Sequence, residues 1–139
     1  MLVWRLAWGL FIKEILNMVT TITCKQVPVK ERTQCTAKLF GKHFRYIEEL
    51  VYDISGSIAV NNYWQFYLLS NGGFYISPDH EDSSKRLDAL GIAVCLYVFG
   101  HLRAASNDPL AEICARQFHL LMNYVLERPE AADILSAIN

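Results

Sequence analysis

Between Arg45 and Lys85 the sequence contains no lysine or arginine. No basic or acidic run is long elsewhere: over 139 residues, 13 basic side chains face 14 acidic ones, a formal net charge of −1. A DNA-binding domain ordinarily carries a basic stripe that neutralises phosphates. A protein that imitates DNA needs the opposite, a strong acidic excess. Charge balance argues against both. Cysteine is sparse and unpaired in pattern: Cys24, Cys35, Cys95 and Cys114 form no C-x-x-C, and no histidine stands at metal-ligand spacing from them. They read as reduced, mostly buried thiols. No apolar run reaches the ~20 residues a membrane span requires. The nearest candidate, residues 1–17, is interrupted by Arg5 and by Lys13-Glu14, and no small-residue cleavage site follows it. Catalytic signatures are missing as well: there is no G-x-S-x-G, H-E-x-x-H or P-loop. His43, His80, His101 and His119 are scattered, and only His119, beside Phe118 in an apolar helix, invites inspection. The carboxylate pairs Glu48-Glu49 and Glu81-Asp82 read as solvated surface.

What the chain does have is apolar mass, 53% against 19% charged, in a length that suits one domain. Six aromatic rings crowd the stretch from Tyr63 to Ser77, around Asn71-Gly72-Gly73. Period-2 alternation puts Tyr63, Gln65, Tyr67 and Leu69 on one face of a strand and Trp64, Phe66 and Leu68 on the other. Ser70 to Gly73 supplies the positive-φ residues of a tight turn, Phe74-Tyr75-Ile76 returns, and Pro78 ends the hairpin. Such rings can form a core, a partner-binding face or a stacking platform for single-stranded nucleic acid. The last lacks its electrostatic funnel here. Elsewhere the period is helical. Residues 25–38 read as an extended lead-in. Leu39 to Ser55 forms a helix with Phe40, Phe44, Ile47, Val51 and Ile54 inward, stopped by Gly56. A central helix from Leu87 to Ala105, capped from Asp82–Ser84, is apolar nearly all round. Asn107-Asp108-Pro109 starts the next helix, and Pro129 opens a short last one. The fold class is α+β: a small antiparallel sheet built on a central β-hairpin, packed against about four helices.

The run from Tyr63 through Trp64, Phe66, Tyr67, Leu69, Ser70-Asn71-Gly72-Gly73, Phe74 and Tyr75 resembles the Y-W-x-F-Y-x-L-S-N-G-G-F-Y signature of antirestriction proteins of the ArdB/KlcA type. Leu39-Phe40-Gly41, Asp88-Ala89-Leu90-Gly91-Ile92, Pro129-Glu130-Ala131 and Val27-Pro28 with Arg32 are similar to further family segments, in the same order. The resemblance covers about residues 18–139 as a single domain and leaves 1–17 as an N-terminal extension, with Met18 as the customary start. It implies a cytoplasmic, non-enzymatic protein of plasmids and other mobile elements. Such a protein has no cofactor and no metal, and protects incoming DNA from type I restriction. The implied partner is a type I restriction-modification enzyme or an associated host protein, engaged by protein binding rather than DNA mimicry, with no nucleic acid or membrane contacted directly. Where the family usually carries another strand pair, between Pro78 and Asp88, this chain has only a charged loop. A hairpin alone is marginal, so residues 19–30 must complete the sheet, or helices must cover it. Tyr63, Trp64, Tyr67 and Tyr75 are the expected contact residues of an exposed aromatic surface, with Asn71, Gly72 and Gly73 holding the turn. The alternatives are a degenerate homologue without antirestriction activity and a small enzyme with a pocket beside the hairpin.

Overall fold

The computed structural model describes residues 22–56, 64–78, 85–105, 108–129 and 131–138. The extension 1–17, the Asn61-Asn62 turn, Tyr63 and the charged loop with its expected caps Asp82–Ser84 lie outside the described residues.

The hairpin forms as the alternation predicts. Strand β2, Trp64–Leu69, pairs antiparallel with β3, Phe74–Pro78, in the register Tyr67↔Tyr75 and Phe66↔Ile76. The third strand comes from the expected segment. β1, Cys24–Gln26, pairs antiparallel with β2 through Lys25↔Leu68, giving the order β1-β2-β3.

Among the described residues five α-helices surround the sheet: α1, Arg32–Phe40; α2, Phe44–Ser55; α3, Lys85–Ala105; α4, Pro109–Leu126; and α5, Ala131–Ile138. The expected single helix from Leu39 to Ser55 is corrected to two. Helix α1 begins at Arg32, inside the predicted lead-in, and Gly41 ends it at φ 58. A 3-10 turn at Gly41–His43 then redirects the chain into α2. The periodicity of α1 is weak because it buries only Thr36 and Phe40, and Thr36 satisfies its hydroxyl locally by donating to the Arg32 carbonyl at 3.0 Å. In α2 the inward stripe is Ile47, Val51 and Ser55, which leaves Ile54 on the outside at 45% exposure rather than in the core. Gly56, at φ 55, ends α2 as expected.

Helix α3 is central, touching α4, β3, α5 and α2. Its approach to β3 is unusually close. Alternation along the ladder turns the N–H and C=O of Ile76 away from β2. There the Cys95 thiol takes both: Sγ lies 3.4 Å from the Ile76 nitrogen and 3.7 Å from its oxygen. This outer edge of the sheet is thereby sealed, which removes a template for unwanted strand pairing. Asp108 caps α4 by accepting from Leu110 N at 3.2 Å, with Pro109 in the first turn. Below the hairpin, Phe74 packs edge-on against Phe40, Phe44 and Phe66 at centroid distances of 5.4–5.7 Å.

The thiols are less uniformly buried than expected. None of the four forms a disulfide; Cys95 and Cys114 are interior, Cys35 is half-buried and Cys24 is exposed on β1. No described helix is long and apolar enough to cross a membrane.

Candidate protein-binding site around the hairpin turn

The Ser70–Gly73 turn is held from three sides. Within it, Leu69 N donates to the Gly73 carbonyl at 2.9 Å and Gly72 N to the Leu69 carbonyl at 3.0 Å. Gly72 alone among the turn glycines has positive φ, at 92. Gly73 is needed for space instead. A Cβ there would lie 2.9 Å from Leu69 Cδ1 and 3.2 Å from Leu120 Cβ. Asn71 clasps the turn to α4: its Oδ1 accepts from Gly73 N at 2.9 Å, and its Nδ2 donates to the Leu120 carbonyl at 3.0 Å. A second clasp was not read from the sequence. Gln117 Nε2 donates to the Gly72 carbonyl at 3.1 Å, and Gln117 is buried. The signal was present, because Gln117 is the one polar residue in the stripe Leu110, Cys114, Leu121, Val125.

The expected contact rings divide. Tyr75 is 1% exposed and Trp64 6%, so neither offers area to a partner. That corrects the expectation of an open aromatic face, and packing is the reason. Tyr75 is sandwiched between Tyr67, stacked at 4.9 Å, and Tyr124, at 6.3 Å. Trp64 packs on Tyr52 at 4.9 Å. Tyr67 remains half-buried and Tyr63 lies outside the described residues. Beyond Tyr124, Arg128 Nη1 donates to its hydroxyl at 3.2 Å, and the exposed Cys24 Sγ sits 3.4 Å from Tyr75 Oη. Burial raises the Tyr124 pKa, and the Cys24 sulfur raises it further against the opposing Arg128.

Beside the turn, a groove of about 540 Å³ separates β1 from α1. Val27, Leu39, Leu68 and Leu69 give it an apolar base, while Lys25, Glu31 and Lys38 stand at its margins. Cys35 lines the helix wall. Burial raises the Cys35 pKa, Lys38 opposes the rise and Glu31 adds to it. Burial likewise pushes Cys114 up to about 11 and Cys95 up to about 12. A nucleophilic thiol needs the reverse shift. His119, the one histidine worth inspecting, is exposed on α4 and does not line the groove. Among the described residues no three His, Cys, Asp or Glu side chains are grouped to hold a metal ion.

Known proteins resemble this chain in sequence and in fold. Residues 60–139 match the antirestriction protein family. A KlcA antirestriction protein of Escherichia coli is 32% identical over 90 residues, covering 55% of this chain and 63% of its own length. A second E. coli KlcA is 31% identical over 108 residues, covering 66% of this chain and 74% of its own. YafX of E. coli K12, an uncharacterized protein, is 27% identical over 142 residues, or 85% and 88% of the two chains. A solved structure from work on KlcA and ArdB superposes with a TM-score of 0.68 at 28% identity, over 85% of this chain and 95% of the other. That work describes a novel fold and antirestriction activity against type I DNA restriction systems in vivo but not in vitro. With the matched segment spanning more than half of the sequence and a solved relative sharing the fold, this chain belongs to the antirestriction protein family.

Proposed function

We propose that this protein counters type I restriction of incoming DNA without catalysis, by binding a protein. The likeness to KlcA and ArdB in both sequence and fold carries this reading. Charge supports binding to protein over mimicry of DNA, since a net charge of −1 cannot imitate a phosphate backbone. The absence of lysine and arginine between Arg45 and Lys85 argues likewise against gripping nucleic acid with the hairpin. Burial raises the pKa of the interior Cys95 and Cys114 thiols, which argues against either one as a nucleophile. Activity of the solved relatives in vivo but not in vitro suits a partner supplied by the host. That partner is the restriction enzyme in its cellular assembly or a protein associated with it.

Plating of unmodified phage on a type I restricting host tests the proposal. Expression of this chain is expected to raise plating towards that of modified phage. Unchanged restriction, with the protein accumulating as a folded species, would identify a homologue that keeps the fold and has lost the activity.

A further inference from the structure

We infer that the groove between β1 and α1 is the seat for an extended peptide segment of the protein partner, one that places an acidic side chain among apolar ones. The inference rests on the protein-binding reading above and gives it a surface, since Trp64 and Tyr75, two of the rings expected to make contact, are interior.

Three observations converge on this groove. First, its shape and floor suit a peptide. A volume of about 540 Å³ lies within the range of ligand-binding clefts, roughly 300–1,000 Å³. Val27, Leu39, Leu68 and Leu69 provide apolar surface along it. Second, the two sheet edges are treated differently. The β3 edge is sealed by Cys95 against Ile76. On β1, Val27 N donates to the Phe66 carbonyl and Ser70 N to the Thr23 carbonyl. Alternation therefore turns the N–H and C=O of Gln26 away from β2. Lys25, Gln26, Val27 and Pro28 all line the groove, so it runs along the strand that carries this outward-turned N–H and C=O, the groups an added extended chain would pair with. Third, the charge is unbalanced. Lys25 and Lys38 are exposed at the groove, one from the strand and one from the helix, and neither forms an ion pair with a described residue. Glu31 is the one carboxylate opposing them in the lining. A carboxylate on the partner would complete this set, and a lysine would not. Complementary charge of this kind governs selection of partners and their rate of encounter.

The test uses the full-length protein labelled with ¹⁵N and two capped peptides as probes, alternating leucine with aspartate or leucine with lysine. The aspartate peptide is expected to shift the amide signals of Lys25, Gln26, Gln34, Cys35, Lys38 and Leu68 in a saturable way. The lysine peptide should not. Lys25→Glu with Lys38→Glu, both on exposed side chains, should weaken the aspartate peptide by about tenfold or more while leaving the remaining spectrum in place. Equal response to both peptides, shifts confined to other residues, or no loss in the double variant would each overturn the inference. Phage plating separates the two levels of proposal. If the wild-type chain binds the aspartate peptide in the groove but gives no protection, the antirestriction reading fails and the groove stands. If the double variant protects as well as wild type, the groove is not the contact surface and the inference fails alone.

Discussion

Gly91 has no room for a methyl group. A Cβ at this position would lie 2.6 Å from the Ile76 carbonyl oxygen and 2.7 Å from Ser77 Cα, both backbone atoms of β3. The only relief is to push α3 off the sheet, which would also part the Cys95 thiol from Ile76. Gly73 is also crowded, by Leu69 Cδ1 at 2.9 Å, Asn71 Oδ1 at 3.0 Å and Leu120 Cβ at 3.2 Å, but these are side-chain atoms, which give way more readily than the backbone of a strand. Gly91→Ala is therefore expected to cost about 2–3 kcal/mol, net of the better helix propensity of alanine, and Gly73→Ala about 1 kcal/mol. Urea unfolding of the two variants checks the order; equal losses would show that α3 can shift without cost. The same distances explain why the signature residues look as they do. Asn71, Gly72, Gly73 and Gly91 fasten the hairpin to its helices. They hold a shape, and a contact surface can vary around them.

Strand β1 shows how much a three-residue element can matter. Its ladder bonds alternate, so Lys25 faces Leu68 through its backbone while Gln26 faces outward. Proline removes one N–H donor and is tolerated only where that donor was not used. Lys25→Pro should detach β1 and reduce the sheet to a hairpin, which is marginal by itself; a loss of about 2–3 kcal/mol is expected. Gln26→Pro should cost less than about 1 kcal/mol. Amide exchange would show the difference directly, as faster exchange at Val27 and Ser70 in the first variant only. The hairpin, the central helix and the capped start of α4 were all legible in the sequence, because each has a strong local signal: alternation, unbroken apolar period, or Asp108-Pro109. Helix α1 was not, because its stability comes from two buried residues and from neighbours far along the chain. Burial of Trp64 and Tyr75 was hidden for a related reason. Alternation tells which rings share a face, but it does not tell which face a later helix such as α4 will cover. The groove was invisible too, since Lys25, Lys38 and Leu68 meet only once β1 has paired and α1 has formed.

At the scale of the whole molecule, the resolved ionisation shifts among the described residues all run in one direction. Cys95, Cys114, Cys35, Tyr52 and Tyr124 are each raised, with burial as the largest cause in every case. The groups are neutral when protonated, so the folded state holds their protons more tightly than the unfolded chain does. Their contribution to stability is therefore complete below the unfolded thiol value of 9.0 and is lost as pH climbs through the folded values. For Cys95 that window runs from 9.0 to about 12. Within it a fully buried thiol weakens the fold by up to about 1.4 kcal/mol per pH unit. Cys95 also joins α3 to the β3 edge, so its ionisation would place a charge against the Ile76 carbonyl, at the junction that holds sheet and helices together. Urea midpoints taken in reducing buffer from pH about 8 to about 10.5 should fall steeply above 9 in the wild-type protein. Cys95→Ala should begin less stable, having lost the contact with Ile76, yet decline more gently. Parallel slopes for the two proteins would mean that the thiol keeps its ordinary acidity, and that the edge of the sheet is wetter than its packing indicates.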